Sequence, residues 1–530
     1  MSRLPLAAAL LLCALSLAEA VLRPLADSPD AFQYLDVAAN LAEGRGLVQS
    51  VPGYNSPRFP LEPRWPQPFT SQPPLYPWLA SCAIRLGLAP APALAALAAL
   101  GLALTWLAGA WLAAALWGGT AATLVLAGLA LGAASPVFTA RLWSDPLAIG
   151  LAMLTLASLL RAARAHASAW RWAALAGACA GSACLTRYVF GLLIPFGAMW
   201  LLFARRGPDR MRAALAHAAA GLALVLPVLV RNQAITGGWF GEPRNASTQD
   251  LAGILTHLLK MTWGRVPGGA QVALAAVSVA LALLSLATAE RRARLRETVA
   301  AGAGLVPLWT LAYVLAIVAV RLLVHFDDLG VRLLLPALTA AMLFAAGLAV
   351  RLLPVPRVAV NAAVALVLLA ASGVVSLRVR ATPAPPSASG PRSEFMNWLA
   401  RESSTSAVLI AEDGVDLAWA LRHEAGPARR FVSFSPAPYM RPLTQPDLEH
   451  FARFVRRQSR PGDPPLRLVV RGYAEDDAAW RRRYGDPIAD ALAGRPPSGD
   501  GLVLERVFDD KRVLRWRSAA ESPASTPRSP

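Results

Sequence analysis

Two carboxylates at the edge of a long apolar stretch are the first residues in this chain with chemical potential. Asp27 and Asp30, in Asp27-Ser28-Pro29-Asp30, follow directly on the apolar run Leu4 to Leu22. An ionisable group at the border of a membrane segment is costly to keep and marks a place that uses it. Ser28 suits a helix N-cap and Pro29 the first helical position, which puts Asp30 in the first turn. There the positive end of the helix dipole keeps the carboxylate ionised, ready to accept a proton or hold a cation. Asp30, Tyr34 and Ala38 recur at intervals of four, along one face of that helix. A helix start decorated with acids would explain Asp27 and Asp30 equally well if the helix stood alone.

Other charged residues sit in comparable places. Asp145, in Arg141-Leu142-Trp143-Ser144-Asp145-Pro146, opens a later apolar span and reads as an N-cap as readily as a functional acid. Arg187 closes another span. A guanidinium there either pairs with a phosphate through two parallel hydrogen bonds or snorkels to the interface. His325-Phe326-Asp327-Asp328 and Arg332-Leu333-Leu334-Leu335-Pro336 form the last cluster. His325 and Asp327, with Glu62 as a distant substitute, make a weak metal donor set. An ion pair between Asp328 and Arg332, four residues apart, accounts for that text as well.

The elements that must position these groups are membrane helices. Apolar residues make up 55% of the 530-residue chain and charged ones 16%, which places it among polytopic helical membrane proteins. A span needs about 20 apolar residues. Eleven candidates occur, at 4–22, 91–116, 119–135, 145–160, 170–187, 189–204, 213–231, 270–289, 300–324, 332–350 and 357–378. The net charge of +18 resides largely in arginines of short connectors, where it sets topology and argues against a nucleic-acid partner. Arg161, Arg164 and Arg171 mark one inside loop. Arg205, Arg206, Arg210 and Arg212 mark the next, followed by Arg291 to Arg296 and by Arg351 with Arg357. The alternation holds if Pro74–Leu88 lies along the outer surface instead of crossing. The segments 23–90, 135–144, 232–269 and 325–330 then face outward, and every acidic motif falls on that side.

The four cysteines all lie in apolar segments, without the spacing of a disulfide framework or a metal site. Past residue 380 the composition changes. A Pro/Ala/Ser linker at 381–391 leads to a charged region, 392–517, in which helical and strand-like text alternate as in a small α/β domain. Phe395–Ala400 and Leu448–Arg457 read as helices, Ala407–Ala411 and Leu466–Val470 as strands. Leu502–Val507 and Val513–Trp516 read as a closing hairpin. The tail 518–530 is Ser/Pro-rich, a composition of disordered segments.

Asp30-x3-Tyr34-x3-Ala38, Gly44-Arg45-Gly46 and Pro73-Pro74-Leu75-Tyr76-Pro77 together resemble the first outer loop of the GT-C glycosyltransferase class. The text is similar to the protein O-mannosyltransferase and aminoarabinose-transferase families over roughly residues 1–350. Arg332-Leu333-Leu334-Leu335-Pro336 resembles a late Arg-Tyr-Leu-x-Pro pattern of the same families. Arg231-Asn232 and Gly241-Glu242-Pro243-Arg244 resemble family text without an assignable role. The resemblance implies that Asp30 is the catalytic base and that Asp145 organises the site. It implies too that Arg187 faces a lipid phosphate, with Asp27, Tyr34 and Arg332 in the substrate site. It implies retention of the first helix, although Ala18-Glu19-Ala20 has the form of a signal-peptidase site. One departure stands out. Where aminoarabinose transferases carry a Glu-Lys pair before Pro-Pro-Leu, the Glu binding metal, this chain has Ser71-Gln72.

The expectation is therefore an all-α polytopic membrane protein of the GT-C type, residues 1–380 with an outer loop at 23–90, carrying a C-terminal periplasmic α/β domain. Its expected place is the cell inner membrane. Its expected reaction is transfer of a sugar from a polyprenyl-phosphate donor to a hydroxyl of a glycan, lipid or protein acceptor, with a divalent metal ion as a conceivable cofactor. Competing readings are a lipid-linked polysaccharide polymerase or ligase, a transporter or flippase, and an inactive scaffold that recruits partners. A transporter should bury its charges at mid-membrane in paired broken helices, whereas here the carboxylates gather at one surface.

Overall fold

The computed structural model describes, in the main, residues 29–54, 66–131, 142–241, 246–254, 302–324, 331–352, 359–366, 394–402, 408–411, 430–434, 444–458, 467–471, 477–508 and 511–517. They belong to two units. One takes residues 1–42, 70–241 and 247–385, and the other residues 43–69, 242–246 and 386–530.

The first unit is helical. Helix α1, Pro29–Ala42, starts at the proline, as its sequence dictates. Helix α2, Leu75–Arg85, has 11 residues, too few to cross a bilayer. Arg85 donates to the carbonyls of Leu41 and Ala42, which ties α2 to the open end of α1. Next come α3 (Pro90–Trp117), α4 (Gly119–Leu131), α5 (Asp145–Arg164) and α6 (Ala169–Thr186). A 3₁₀ turn at Tyr188–Leu192 leads into α7, Leu193–Ala204. The remaining helices of this unit are α8 (Asp209–Thr236), α9 (Leu305–Leu323) and α10 (Val331–Leu352). Among the described residues, α3, α5, α8, α9 and α10 are long and apolar enough to cross a membrane. The expected span 4–22 is described only at isolated positions, 357–378 only at 359–366, and 270–289 lies outside the described residues.

Helices in such a bundle gain little from the hydrophobic effect among themselves and rely on close packing at small residues. A Cβ on Gly101 of α3 would come within 2.2 Å of the Leu147 nitrogen, and one on Gly150 within 2.4 Å of the Gly101 carbonyl. The first turns of α5 therefore press directly on α3. The same device joins α6 to α8, where Gly177 faces the His217 carbonyl and Gly181 the Gly221 carbonyl. Fully buried aromatics join α9 to α7 and to the 3₁₀ turn: Trp309 contacts Phe196 and Tyr313, and Tyr313 contacts Phe190.

The second unit is α/β. Its elements include β1 (Val48–Gln49), β2 (Gly53–Tyr54), β3 (Gln67–Pro68), α11 (Glu394–Glu402), β4 (Val408–Ala411) and β5 (Arg430–Phe434). They continue with α12 (Gln445–Gln458), β6 (Arg467–Arg471), α13 (Asp477–Tyr484), α14 (Asp486–Leu492), β7 (Gly501–Val507) and β8 (Lys511–Arg517). A six-stranded sheet runs in the order β2-β5-β4-β6-β8-β7, parallel from β2 to β6 and antiparallel through the β8–β7 hairpin. Leu468, Val470, Val513, Leu514 and Trp516 are buried on it. The helices and strands read from the C-terminal text all form. The sheet also takes in Gly53–Tyr54 from the expected outer loop, so residues 43–69 group with this unit and not with the helices. The linker 381–391 and the tail 518–530 lie outside the described residues.

Candidate active site

Four charged side chains from four helix ends of the first unit converge. Arg332, in the first turn of α10, donates from Nη2 to Asp30 Oδ2 at 2.7 Å and from Nε to Asp145 Oδ2 at 2.9 Å. Arg187, just past the end of α6, donates from Nε and Nη2 to Asp145 Oδ1 at 3.0 and 2.7 Å. Gln72 closes the set, its Nε2 donating to Asp30 Oδ1 at 3.3 Å. Both carboxylates lie in the first turns of their helices and Arg187 at a C-terminus, each at the dipole end that favours its charge. Side-chain exposure falls from 26% at Asp30 and 22% at Arg332 to 17% at Arg187 and 10% at Asp145. Asp30 is thus the acid that a reacting molecule reaches first.

Each member is held by packing around it. The Tyr313 hydroxyl donates to the Leu333 carbonyl at 2.9 Å and fixes the turn carrying Arg332, whose guanidinium stacks 4.4 Å over the Trp143 ring. Leu142, buried, has φ 56°, a left-handed backbone that a bulky residue adopts only when its surroundings impose it. That bend delivers Trp143, Ser144 and Asp145 to the site. The Asn232 amide donates to the Tyr188 hydroxyl at 2.8 Å, which steadies the turn after Arg187. Tyr34 lies against Tyr76 with ring centroids 5.1 Å apart and has its hydroxyl 3.1 Å from Ser144 Oγ. The Tyr76 hydroxyl donates in turn to the Leu94 carbonyl at 2.8 Å.

Burial alone would raise the Asp30 pKa, but the Arg332 and Arg187 guanidiniums outweigh it and hold the carboxyl below its ordinary value. Asp30 is therefore ionised at neutral pH and a weak base while Arg332 stays on it. Burial pushes the Tyr34 hydroxyl up to about 12, so it remains a proton donor.

Of the residues read from sequence, Asp30, Asp145, Arg187 and Arg332 meet in one network and Tyr34 lines it. Asp27, Glu62, His325 and Asp327 lie outside the described residues, as does Asp328. Asp145 is not an N-cap: Ser144 holds that position, and the Asp145 carboxylate is taken up by two arginines. Gln72 escaped the sequence reading as a site residue. Its only signal was its place beside Pro73, where the similar families carry a charge.

The donor chemistry also decides on a metal at this pair. All four carboxylate oxygens of Asp30 and Asp145 receive N–H donors, and the Arg332 guanidinium bridges the two groups. Ser71 and Gln72 offer a hydroxyl, 2.9 Å from Gln33 Nε2, and an amide, in place of a carboxylate. This set does not fit a divalent cation, which would have to displace the bridging Arg332.

No family model and no curated protein matches the chain. Solved structures do. ArnT from Cupriavidus metallidurans, bound to undecaprenyl phosphate, aligns with a TM-score of 0.57 over 96% of this chain and 97% of that one, at 16% identity. The Archaeoglobus fulgidus oligosaccharyltransferase, in complex with Zn and sulfate, gives 0.52 over 96% and 73%, at 13% identity. The mycobacterial arabinofuranosyltransferase AftD gives 0.50 over 97% of this chain and 40% of its own length, at 18% identity. All three are GT-C glycosyltransferases. The likeness runs almost end to end, and the chain has the GT-C fold.

Proposed function

We propose that this protein is a membrane glycosyltransferase that moves a sugar from a polyprenyl-phosphate donor to an acceptor hydroxyl, with inversion, at the extracytoplasmic face of the cell inner membrane. The observation that carries this reading is the crossed network in which Arg332 holds both Asp30 and Asp145 while Arg187 holds Asp145 alone. An anionic phosphate entering there competes with the carboxylates for guanidinium forks that suit it well. A lipid-borne donor also explains why the site lies at the ends of membrane helices.

In the proposed step the acceptor oxygen attacks the anomeric carbon and passes its proton to Asp30. The bond from that carbon to the phosphate oxygen breaks, and its electron pair leaves with the lipid phosphate. The leaving group needs charge stabilisation and no proton, which Arg332 and Arg187 supply. As Arg332 moves from Asp30 toward the phosphate, the carboxylate loses the cation that weakens it as a base. Donor binding thus prepares the base. Asp145 stays on Arg187 and keeps that fork aimed.

Mass spectrometry of cell-envelope glycans, with and without the protein, tests the reading. A sugar that disappears on deletion, and returns with the wild type but not with Asp30→Asn, is expected. An unchanged envelope together with altered lipid export would favour a flippase instead.

A further inference from the structure

A second concavity lies far from the ion network. Between α3, α5 and α6 runs a groove of about 390 Å³, lined by Leu104, Trp111, Leu154, Ala157 and Trp172, with Arg161 of the last turn of α5 in its lining as well. Arg161 is 16 residues along α5 from Asp145, about 24 Å at helical rise. The groove is open: Leu107, Trp111 and Leu175 at its border expose 49%, 39% and 43% of their surface. Ser158 and Arg161 are the only polar residues among those that line it.

The arginine differs from the rest of the lining. The Arg161 guanidinium stacks over Trp172, 5.3 Å from the ring centroid, and among the described residues no carboxylate pairs with it. Nearby in sequence, Arg164 donates to the Ala115 carbonyl at the end of α3, so a second cation sits at the same helix terminus. An apolar channel whose lining includes a cation flanked by tryptophan is complementary to one kind of molecule. That molecule has an aliphatic tail and an anionic head, and tryptophan at this level is the usual companion of a lipid headgroup.

We propose that this groove is a binding site for an anionic glycerophospholipid, with one acyl chain in the channel and the phosphodiester at Arg161. The site belongs to the arginine-rich side of the helical unit, opposite the end that carries Asp30 and Asp145. It does not depend on the reaction assigned to those residues. The lipid holds α3, α5 and α6 together at the ends remote from the ion network.

The test is native mass spectrometry of the delipidated full chain in detergent, titrated with dioleoyl phosphatidylglycerol or dioleoyl phosphatidylcholine. Wild type is expected to retain one phosphatidylglycerol in preference to phosphatidylcholine. Arg161→Gln should lower that retention about fivefold, the worth of one arginine at a lipid surface, and leave phosphatidylcholine unchanged. Arg161→Lys should keep most of the preference. The thermal midpoint of each variant without lipid shows whether it is folded. Equal retention of the two lipids by wild type, or an undiminished preference in Arg161→Gln, overturns the site. So does a parallel loss of both lipids in Arg161→Gln, since that marks damage to the groove and not a lost charge contact.

Discussion

Arg332 and Asp30, 302 residues apart in the chain, meet through a hydrogen bond of 2.7 Å. The contact makes the resting carboxylate charged but weakly basic, and it places the cation where an incoming phosphate can reach it. Binding and base strength are thereby joined in one side chain.

Asp30→Asn keeps the side chain's size and removes the proton acceptor. Transfer should fall on the order of a hundredfold or more, with only a small drop of the thermal midpoint in detergent, since Asp30 is the most exposed member of the network. Retained activity in this variant would sink the mechanism.

Acid should switch the wild type off only late. The folded pKa of Asp30 lies below the ordinary 3.8, so the base stays ionised through mild acid and its limb in the kcat/KM profile falls below that pH. The stabilisation it contributes is likewise present above the unfolded value and lost as pH falls through the folded one. Arg332→Gln removes the larger lowering influence while the opposing effect of burial remains. The limb should then move upward, and a profile that does not shift would separate Arg332 from Asp30 in solution.

Arg187 reports on the donor. Arg187→Lys keeps one charge and loses the planar fork, so binding of a labelled polyprenyl-phosphate sugar in nanodiscs should weaken without vanishing. Arg187→Ala should weaken it further, whereas Asp30→Asn, which takes the competing charge off Arg332, should bind donor at least as tightly as the wild type. Unchanged binding in Arg187→Ala would leave Arg332 as the phosphate ligand.

Chelation should not stop the reaction. The Asp30–Asp145 pair is bridged by a guanidinium and has no carboxylate at positions 71 and 72. Transfer after exhaustive treatment with EDTA should match the untreated rate. A loss restored by one added cation would direct attention to Glu62, His325 and Asp327.

Topology is open to direct measurement. Reporter fusions after Arg205 and Arg291 should read as cytoplasmic, and fusions beyond residue 391 as extracytoplasmic, if the arginine-rich connectors obey the positive-inside rule. A cytoplasmic signal from the C-terminal unit would put it on the wrong side for the proposed scheme.

Composition and periodicity were enough to read a helical membrane unit followed by an α/β unit, because apolar runs and strand alternation are local properties of the chain. The start of α1 at Pro29 was legible for the same reason, since proline fixes its own φ and lacks an N–H. The short helix Leu75–Arg85 was legible from its length. Pairing was another matter. Arg332 could be matched to Asp328 by spacing, yet its fork lies on Asp30 and Asp145, which only helix packing at Gly101 and Gly150 and the bend at Leu142 bring within reach. Asp145 had the position and chemistry of a cap, and two arginines from distant helices gave it a different role. Gln72 carried no charge to attract notice, and Gly53–Tyr54 no length to announce a strand; the first was revealed by a carboxylate 42 residues away and the second by the edge of a sheet. Local structure follows from neighbours in sequence, whereas ion pairs and edge strands depend on which surfaces the packed helices and sheet bring together.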